Sequence, residues 1–285
     1  MERESLLAIL IVVLGGLVLQ VFAACPGRFG QQSTVRRRER ILWLVIWWPV
    51  APALTVAAWL CGWALSQPDP VPHRVGRLLF VAAGAFAILC IRALVRAVWS
   101  LCRSAHFYGI VTVGLLRPRI VVAQELALVL DERAMQAALT HEQMHARHYD
   151  PMRIWLAQFV TDLQWPWGAA QRRFTDWLAA LELARDDEAR AGGIDGADLA
   201  AAVLGSLRFQ CRPSGTAATL IGRPEALPAR IARLLEPLPG AAAAAIETPY
   251  IALTGALLLV WACAIMLGLA CGQPLIDTLL ALKAS

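Results

Sequence analysis

The stretch His141-Glu142-Gln143-Met144-His145 determines how the rest of this chain is interpreted. It has the pattern H-E-x-x-H and lies in a segment whose composition favours a helix. Residues four apart share one helix face, so His141 and His145 can present two imidazole nitrogens to one Zn²⁺. Glu142 lies beside them, where its carboxylate can take a proton from the attacking water. The pattern therefore predicts the core of a zinc peptidase.

The pattern needs a third ligand, because catalytic zinc sites use three protein ligands. The best source is the acidic segment 181–188, where Glu182 and Asp186 stand four residues apart on a predicted helix. We expect Glu182 to ligate the metal and Asp186 to accept a hydrogen bond from the other nitrogen of a zinc histidine. Two alternatives remain open: Glu188 could be the ligand, or the acidic face could simply be solvated.

The composition predicts an integral membrane protein with a soluble part. The chain has 285 residues, of which 58% are hydrophobic and only 16% are charged, and its mean hydropathy is +0.57. Soluble domains carry about 25% charged residues. The seven cysteines contain no C-x-x-C pair, so no cysteine-based metal site is expected.

Four apolar stretches are long enough to suggest membrane spans: residues 6–24, 41–65, 77–98 and 250–271. The predicted domains are then residues 1–98 with three transmembrane helices, 99–248 as the metalloprotease domain, and 249–285 with the fourth span and a short outer tail.

The arginine-rich run 36–40 sets the predicted orientation. Positive charge favours the cytoplasmic side, which places residues 99–248 and their active site in the cytoplasm of a bacterium, in a multi-pass inner-membrane protein. The alternative is that the run binds lipid or nucleic acid. Orientation accounts for the net charge of +5, so no direct nucleic-acid binding is expected.

The predicted fold class is mainly α with a small β element between the third and fourth spans. Two short β-prone runs cover 111–113 and 120–122. Helices are expected over 131–150, 171–191, 198–209 and 228–235, the first of them capped by Asp131. Asp150 before Pro151 is expected to end that first helix, and His148 to be a polar surface residue.

Several blocks resemble the BlaR/MecR-type membrane zinc metallopeptidases, the protease parts of beta-lactam receptors. The blocks are residues 115–122, 137–145, 165–167, 182–188 and 228–235. The resemblance implies a zincin-like (gluzincin) site with His141, His145 and Glu182 as zinc ligands and Glu142 as general base. Members of that family cleave a cytoplasmic transcriptional repressor, or themselves, in response to an external signal.

The resulting functional hypothesis is a membrane-embedded zinc metalloendopeptidase that cleaves a winged-helix repressor in a signalling pathway. Only residues 272–285 follow the fourth predicted span, so a penicillin-binding sensor domain is not expected and a separate sensor protein would be needed. Two alternatives stay open. One is an HtpX-like protease for membrane-protein quality control, and the other is a non-catalytic membrane scaffold.

Overall fold

The computed structural model describes residues 20, 34–51, 77–103, 110–210, 227–237 and 263. The chain divides into two compact units. One comprises residues 1–26, 47–90 and 244–285, and the other comprises residues 27–46 and 91–243. Every residue of the candidate site belongs to the second unit.

The predicted polytopic membrane fold and inner-membrane localisation are wrong on the structure. Among the residues described, no helix has both the length and the apolar character that a bilayer crossing requires. Helix α1 (Val35–Trp47) has 13 residues, whereas a crossing takes about 20. The predicted spans 6–24 and 250–271 and most of 41–65 lie outside the described residues.

Helix α2 (Arg77–Arg103) overlaps the third predicted span. Its uncharged stretch ends at Arg92, and the side chains of Arg92 and Arg96 both reach Asp162, at 4.0 and 3.1 Å. Both arginines of this predicted span therefore contact a buried carboxylate of the second unit.

The small β element is a hairpin of β1 (Ile110–Val113) and β2 (Arg119–Val122), paired antiparallel as the sequence predicts. Gly114 follows β1 with a φ of +96°, and a Cβ there would lie 2.6 Å from the carbonyl oxygen of Arg117. Only glycine fits this conformation and this close approach, so Gly114 fixes the turn.

The rest of the second unit is mainly helical, which agrees with the predicted helices. The helices are α3 (Gln124–Ala127), α4 (Glu132–Arg147), α5 (Asp150–Leu163), α6 (Gly168–Ala191), α7 (Gly196–Gln210) and α8 (Leu227–Leu235).

Helix α4 carries the H-E-x-x-H pattern and begins as predicted. The Asp131 carboxylate accepts a hydrogen bond of 2.8 Å from the backbone N–H of Ala134. Ala134 and Ala138 are buried on the face that also carries His141 and His145, because all four follow helical spacing. Each histidine is only 7% exposed, so the packing that fixes α4 also buries both imidazoles.

The chain turns sharply between α4 and α5. Tyr149 adopts the left-handed conformation, with φ 53° and ψ 38°, and α5 starts at the next residue with Pro151 in its first turn. Helix α4 ends at Arg147, three residues before the predicted end, and Asp150 instead begins α5, where its side chain lies against His145. Helix α6 packs against both α4 and α5, which places its acidic segment beside the histidines.

Candidate metal centre

Helices α4 and α6 bring His141, His145 and Glu182 together. One ligand atom from each lies within 4.8 Å of the other two, so the group could hold a metal ion. The Nε2 atoms of His141 and His145 are 3.0 Å apart, and they lie 3.4 and 3.6 Å from the nearer carboxylate oxygens of Glu182. The three residues predicted as ligands therefore meet at one point.

The distances from Glu182 to the two imidazoles fit a tetrahedral ion. Ligands about 2.0–2.2 Å from a tetrahedral zinc lie roughly 3.3–3.6 Å from one another. The two Nε2 atoms, at 3.0 Å, are closer than this and lie within hydrogen-bond distance of each other, so a bound ion would move them slightly apart.

The orientation of His145 is set by Asp150. The Nδ1 atom of His145 lies 2.9 Å from Oδ2 of Asp150. Asp150 also accepts hydrogen bonds from Arg185, at 2.5 and 3.1 Å, and from Arg153, at 2.9 Å. Burial alone would raise the pKa of Asp150, but His145 and Arg185 outweigh it and hold that pKa well below its usual range. The ionised carboxylate keeps the proton on Nδ1 and leaves Nε2 free for a metal.

Asp186 lies beside the other imidazole nitrogen of His141. The Nδ1 atom of His141 lies 3.0 Å from Oδ1 of Asp186, in a contact that is electrostatic rather than a well-aligned hydrogen bond. Arg230 donates to both Asp186 oxygens, at 2.7 and 2.8 Å, and its guanidinium also lies 3.1 Å from Glu182. One arginine of α8 thus holds two carboxylates of α6.

The charges around the triad favour a cation at its centre. Burial raises the pKa of Glu182, but Arg230 and the two histidines outweigh it and lower that pKa to about 2. Burial lowers the pKa of His141, but Asp186 and Glu182 outweigh it and raise that pKa to about 10. Without a metal, Asp186 and Glu182 therefore favour a protonated His141. A bound metal ion would replace that positive charge.

The side chain of Glu142 is anchored to the hairpin. The Thr112 hydroxyl on β1 lies 2.7 Å from Oε2 of Glu142 and 2.9 Å from the Glu142 carbonyl oxygen, and its single proton can go to either. The strand therefore fixes the carboxylate that the sequence predicts as general base.

The alternative ligand Glu188 belongs to a different group of charges. Its carboxylate lies 2.9 Å from Nε2 of His148 and 3.0 Å from Arg185. His148 is half-buried by this contact, whereas the sequence suggested an ordinary surface residue.

The sequence interpretation missed the residues that support the ligands. They are Arg153, Arg185 and Arg230, which hold the carboxylates around the histidines, and Thr112, which holds Glu142. Two of them carry a recognisable signal. Arg185 is the one cation inside an acidic segment, and Arg230 stands three residues before Arg233, which contacts Asp187 at 2.7 Å. That spacing indicates a helix face directed at acidic residues.

Comparisons with protein-family models, with curated proteins and with solved structures found no match to this chain. The chemistry of the site therefore has to be inferred from its own residues.

Proposed function

We propose that this protein is a zinc metalloendopeptidase in which His141, His145 and Glu182 bind the metal and Glu142 is the general base. The observation that carries the proposal is the convergence of two Nε2 atoms and one carboxylate within 4.8 Å, next to a glutamate that another element holds in place.

The donor set favours zinc over the common oxygen-loving cations. Calcium and magnesium prefer shells made of oxygen atoms, whereas two imidazoles with one carboxylate are typical of catalytic zinc. When bound, Zn²⁺ supplies Lewis-acid polarisation of the scissile carbonyl and lowers the pKa of water in the site.

The residues of the chain supply the remaining chemistry. Glu142 takes a proton from the attacking water and delivers it to the leaving amine. Thr112 keeps the Glu142 carboxylate oriented towards the site through their 2.7 Å contact. The hairpin that carries Thr112 can pair with an extended peptide by strand addition, which would hold the scissile bond close to the base.

The substrate we propose is a protein, specifically a winged-helix transcriptional repressor. This part rests on the resemblance of residues 115–122, 137–145 and 182–188 to the BlaR/MecR-type peptidases. The exposed apolar side chains of the hairpin region suit an extended peptide with apolar residues. They are Leu116, Val121, Val122, Leu128 and Val129.

A comparison of Glu142→Gln with His141→Ala tests the proposal. We expect Glu142→Gln to keep one zinc per chain and to lose cleavage of a fluorogenic peptide library, because it removes the base and leaves the ligands. His141→Ala should lose both the zinc and the cleavage. Metal analysis after dialysis and peptide cleavage are the two measurements. Full activity of Glu142→Gln would contradict the proposed mechanism, in which Glu142 is the general base.

A further inference from the structure

We propose that Glu39 is a positioning residue for the metal ligand His145, so that the metal affinity of the site depends on the docking of helix α1. The inference rests on the proposed function in one respect, namely that His145 binds the metal.

A continuous series of charged contacts joins Glu39 to His145. Oε1 of Glu39 lies 2.5 Å from a terminal nitrogen of Arg153, and the other terminal nitrogen lies 2.9 Å from Oδ1 of Asp150. The second oxygen of Asp150 lies 2.9 Å from Nδ1 of His145. Arg153 therefore bridges the carboxylate of α1 and the carboxylate that orients the ligand.

Both carboxylates in this series are buried. Glu39 is 4% exposed and Asp150 is 0% exposed, and a buried charge is costly unless it is paired and hydrogen-bonded. The neighbouring side chains of Arg36, Arg37 and Arg38 are exposed. Helix α1 thus directs its one acidic side chain inwards, and the partner that it finds there leads to the metal centre.

Two tryptophans hold Arg153 in the bridging orientation. Its guanidinium lies 5.0 Å from the ring centre of Trp43 and 5.7 Å from that of Trp177. The indole N–H of Trp177 also donates to Glu39, at 3.1 Å. A planar guanidinium held against aromatic rings can bind two carboxylates at once, which a single ammonium group does less well.

The loss of the Glu39 charge should weaken metal binding for two reasons. Arg153 would interact with Asp150 alone and draw its negative charge away from His145, which makes the imidazole a poorer donor to a metal. The region would also carry one negative charge fewer, which lowers its attraction for a cation. Both effects act in the same direction.

The test is the zinc affinity of Glu39→Gln, measured by competition with a chromophoric chelator. We expect a loss of about 3–10-fold, which is less than the about 10–100-fold that residues touching a ligand usually give. The visible spectrum of the Co²⁺-loaded protein should shift, because it reports the geometry at His145. Arg153→Lys should weaken zinc binding to a similar extent. It keeps the positive charge but loses the two terminal nitrogens that bind Glu39 and Asp150 at once.

Asp162→Asn is the matched control, since it removes a buried carboxylate of the same helix that pairs with Arg92 and Arg96 instead of Arg153. It should lower the unfolding temperature and leave the zinc affinity and the Co²⁺ spectrum unchanged. In an Asp150→Asn background, Glu39→Gln should cause a smaller further loss of affinity, because the part of its effect that passes through Asp150 is already gone.

Three results would overturn the inference: unchanged affinity in both Glu39→Gln and Arg153→Lys, an equal loss in Asp162→Asn, or full additivity with Asp150→Asn. The zinc content of His141→Ala shows whether a negative result concerns only the role of Glu39 or the proposed metal centre itself. If His141→Ala retains zinc, the metal centre itself is wrong. If it loses zinc while Glu39→Gln binds normally, only the role of Glu39 is wrong.

Discussion

The two histidines of the metal centre are supported in different ways. Behind His145, the Asp150 carboxylate is completely buried and is held by two arginines, Arg153 and Arg185. Behind His141, a single arginine, Arg230, holds Asp186 as well as the ligand Glu182.

This difference indicates on which side of the metal centre the loss of one arginine is better tolerated. On the His145 side, loss of one arginine leaves a second one on Asp150. On the His141 side, loss of Arg230 leaves Glu182 and Asp186, a half-buried and a buried carboxylate four residues apart on one helix, without the arginine that they share. We therefore expect the His141 side to be the weaker half of the metal-free protein and the half that gains most from a metal.

The largest expected effect is a loss of zinc affinity when a metal ligand is removed. Glu182→Ala removes one of three ligands, so zinc affinity should fall by more than the about 10–100-fold typical of residues that only orient ligands. Glu188→Ala, on the same helix, is the comparison variant and should lose far less zinc affinity, because Glu188 reaches the site indirectly, through Arg185 and Asp150. Chelator competition measures both. Loss of zinc from Glu188→Ala with retention in Glu182→Ala would assign the third ligand to Glu188.

The next prediction compares the two halves directly. Arg230→Met should destabilise the zinc-free protein by about 3–5 kcal/mol, the usual result of leaving buried charge unpaired. Added zinc should restore much of this loss, because the ion supplies positive charge to the same carboxylates. Arg185→Met should cost less, because Arg153 still binds Asp150.

Urea unfolding of both variants, with and without zinc, gives the four free energies needed. An equal loss in the two variants, or an equal gain from zinc, would mean that the two halves are supported alike.

The last expected effect is the pH dependence that the His141 side contributes. Because the pKa of His141 is raised to about 10, its contribution to stability is complete below about pH 6.5 and is lost as the pH rises from there to about 10. Because the pKa of Glu182 is lowered to about 2, its contribution is complete above about pH 4.5 and is lost as the pH falls from there to about 2.

Thermal unfolding between about pH 6 and 9.5 should therefore show the zinc-free protein losing stability. The zinc-bound protein should show no such slope, since the metal replaces the proton on His141. His141→Gln is the control and should abolish the slope. A zinc-free protein that is equally stable across this range would contradict the charge assignment.

The residues of the site that could be predicted from the sequence are those that stand four apart on one helix. His141 with His145, and Glu182 with Asp186, are pairs four residues apart, so their shared faces follow from helix geometry alone. The hairpin and the cap at Asp131 have equally local signals.

The supporting arginines could not be predicted, because an arginine can pair with any carboxylate that the fold brings near. Glu39 and Arg153 are 114 residues apart, and nothing in the run 36–40 shows that its acid turns inwards. The same run supported the membrane interpretation.

That interpretation failed because apolar composition does not distinguish lipid from protein as the surrounding medium. Leu42, Val45 and Ile46 of α1 are buried in the structure, and this helix has 13 residues.

The position of Glu39 also has a consequence for the order in which the protein assembles. Its contacts with Arg153 and Trp177 close loops of 114 and 138 residues. In contrast, His145 and Asp150 are only 5 residues apart in the sequence. Long loops carry a greater entropic cost of closure and slow the formation of the contacts that depend on them. On refolding, the two histidines and Asp150 would meet early and α1 would dock late, so tight metal uptake would mark the completion of the fold rather than its beginning.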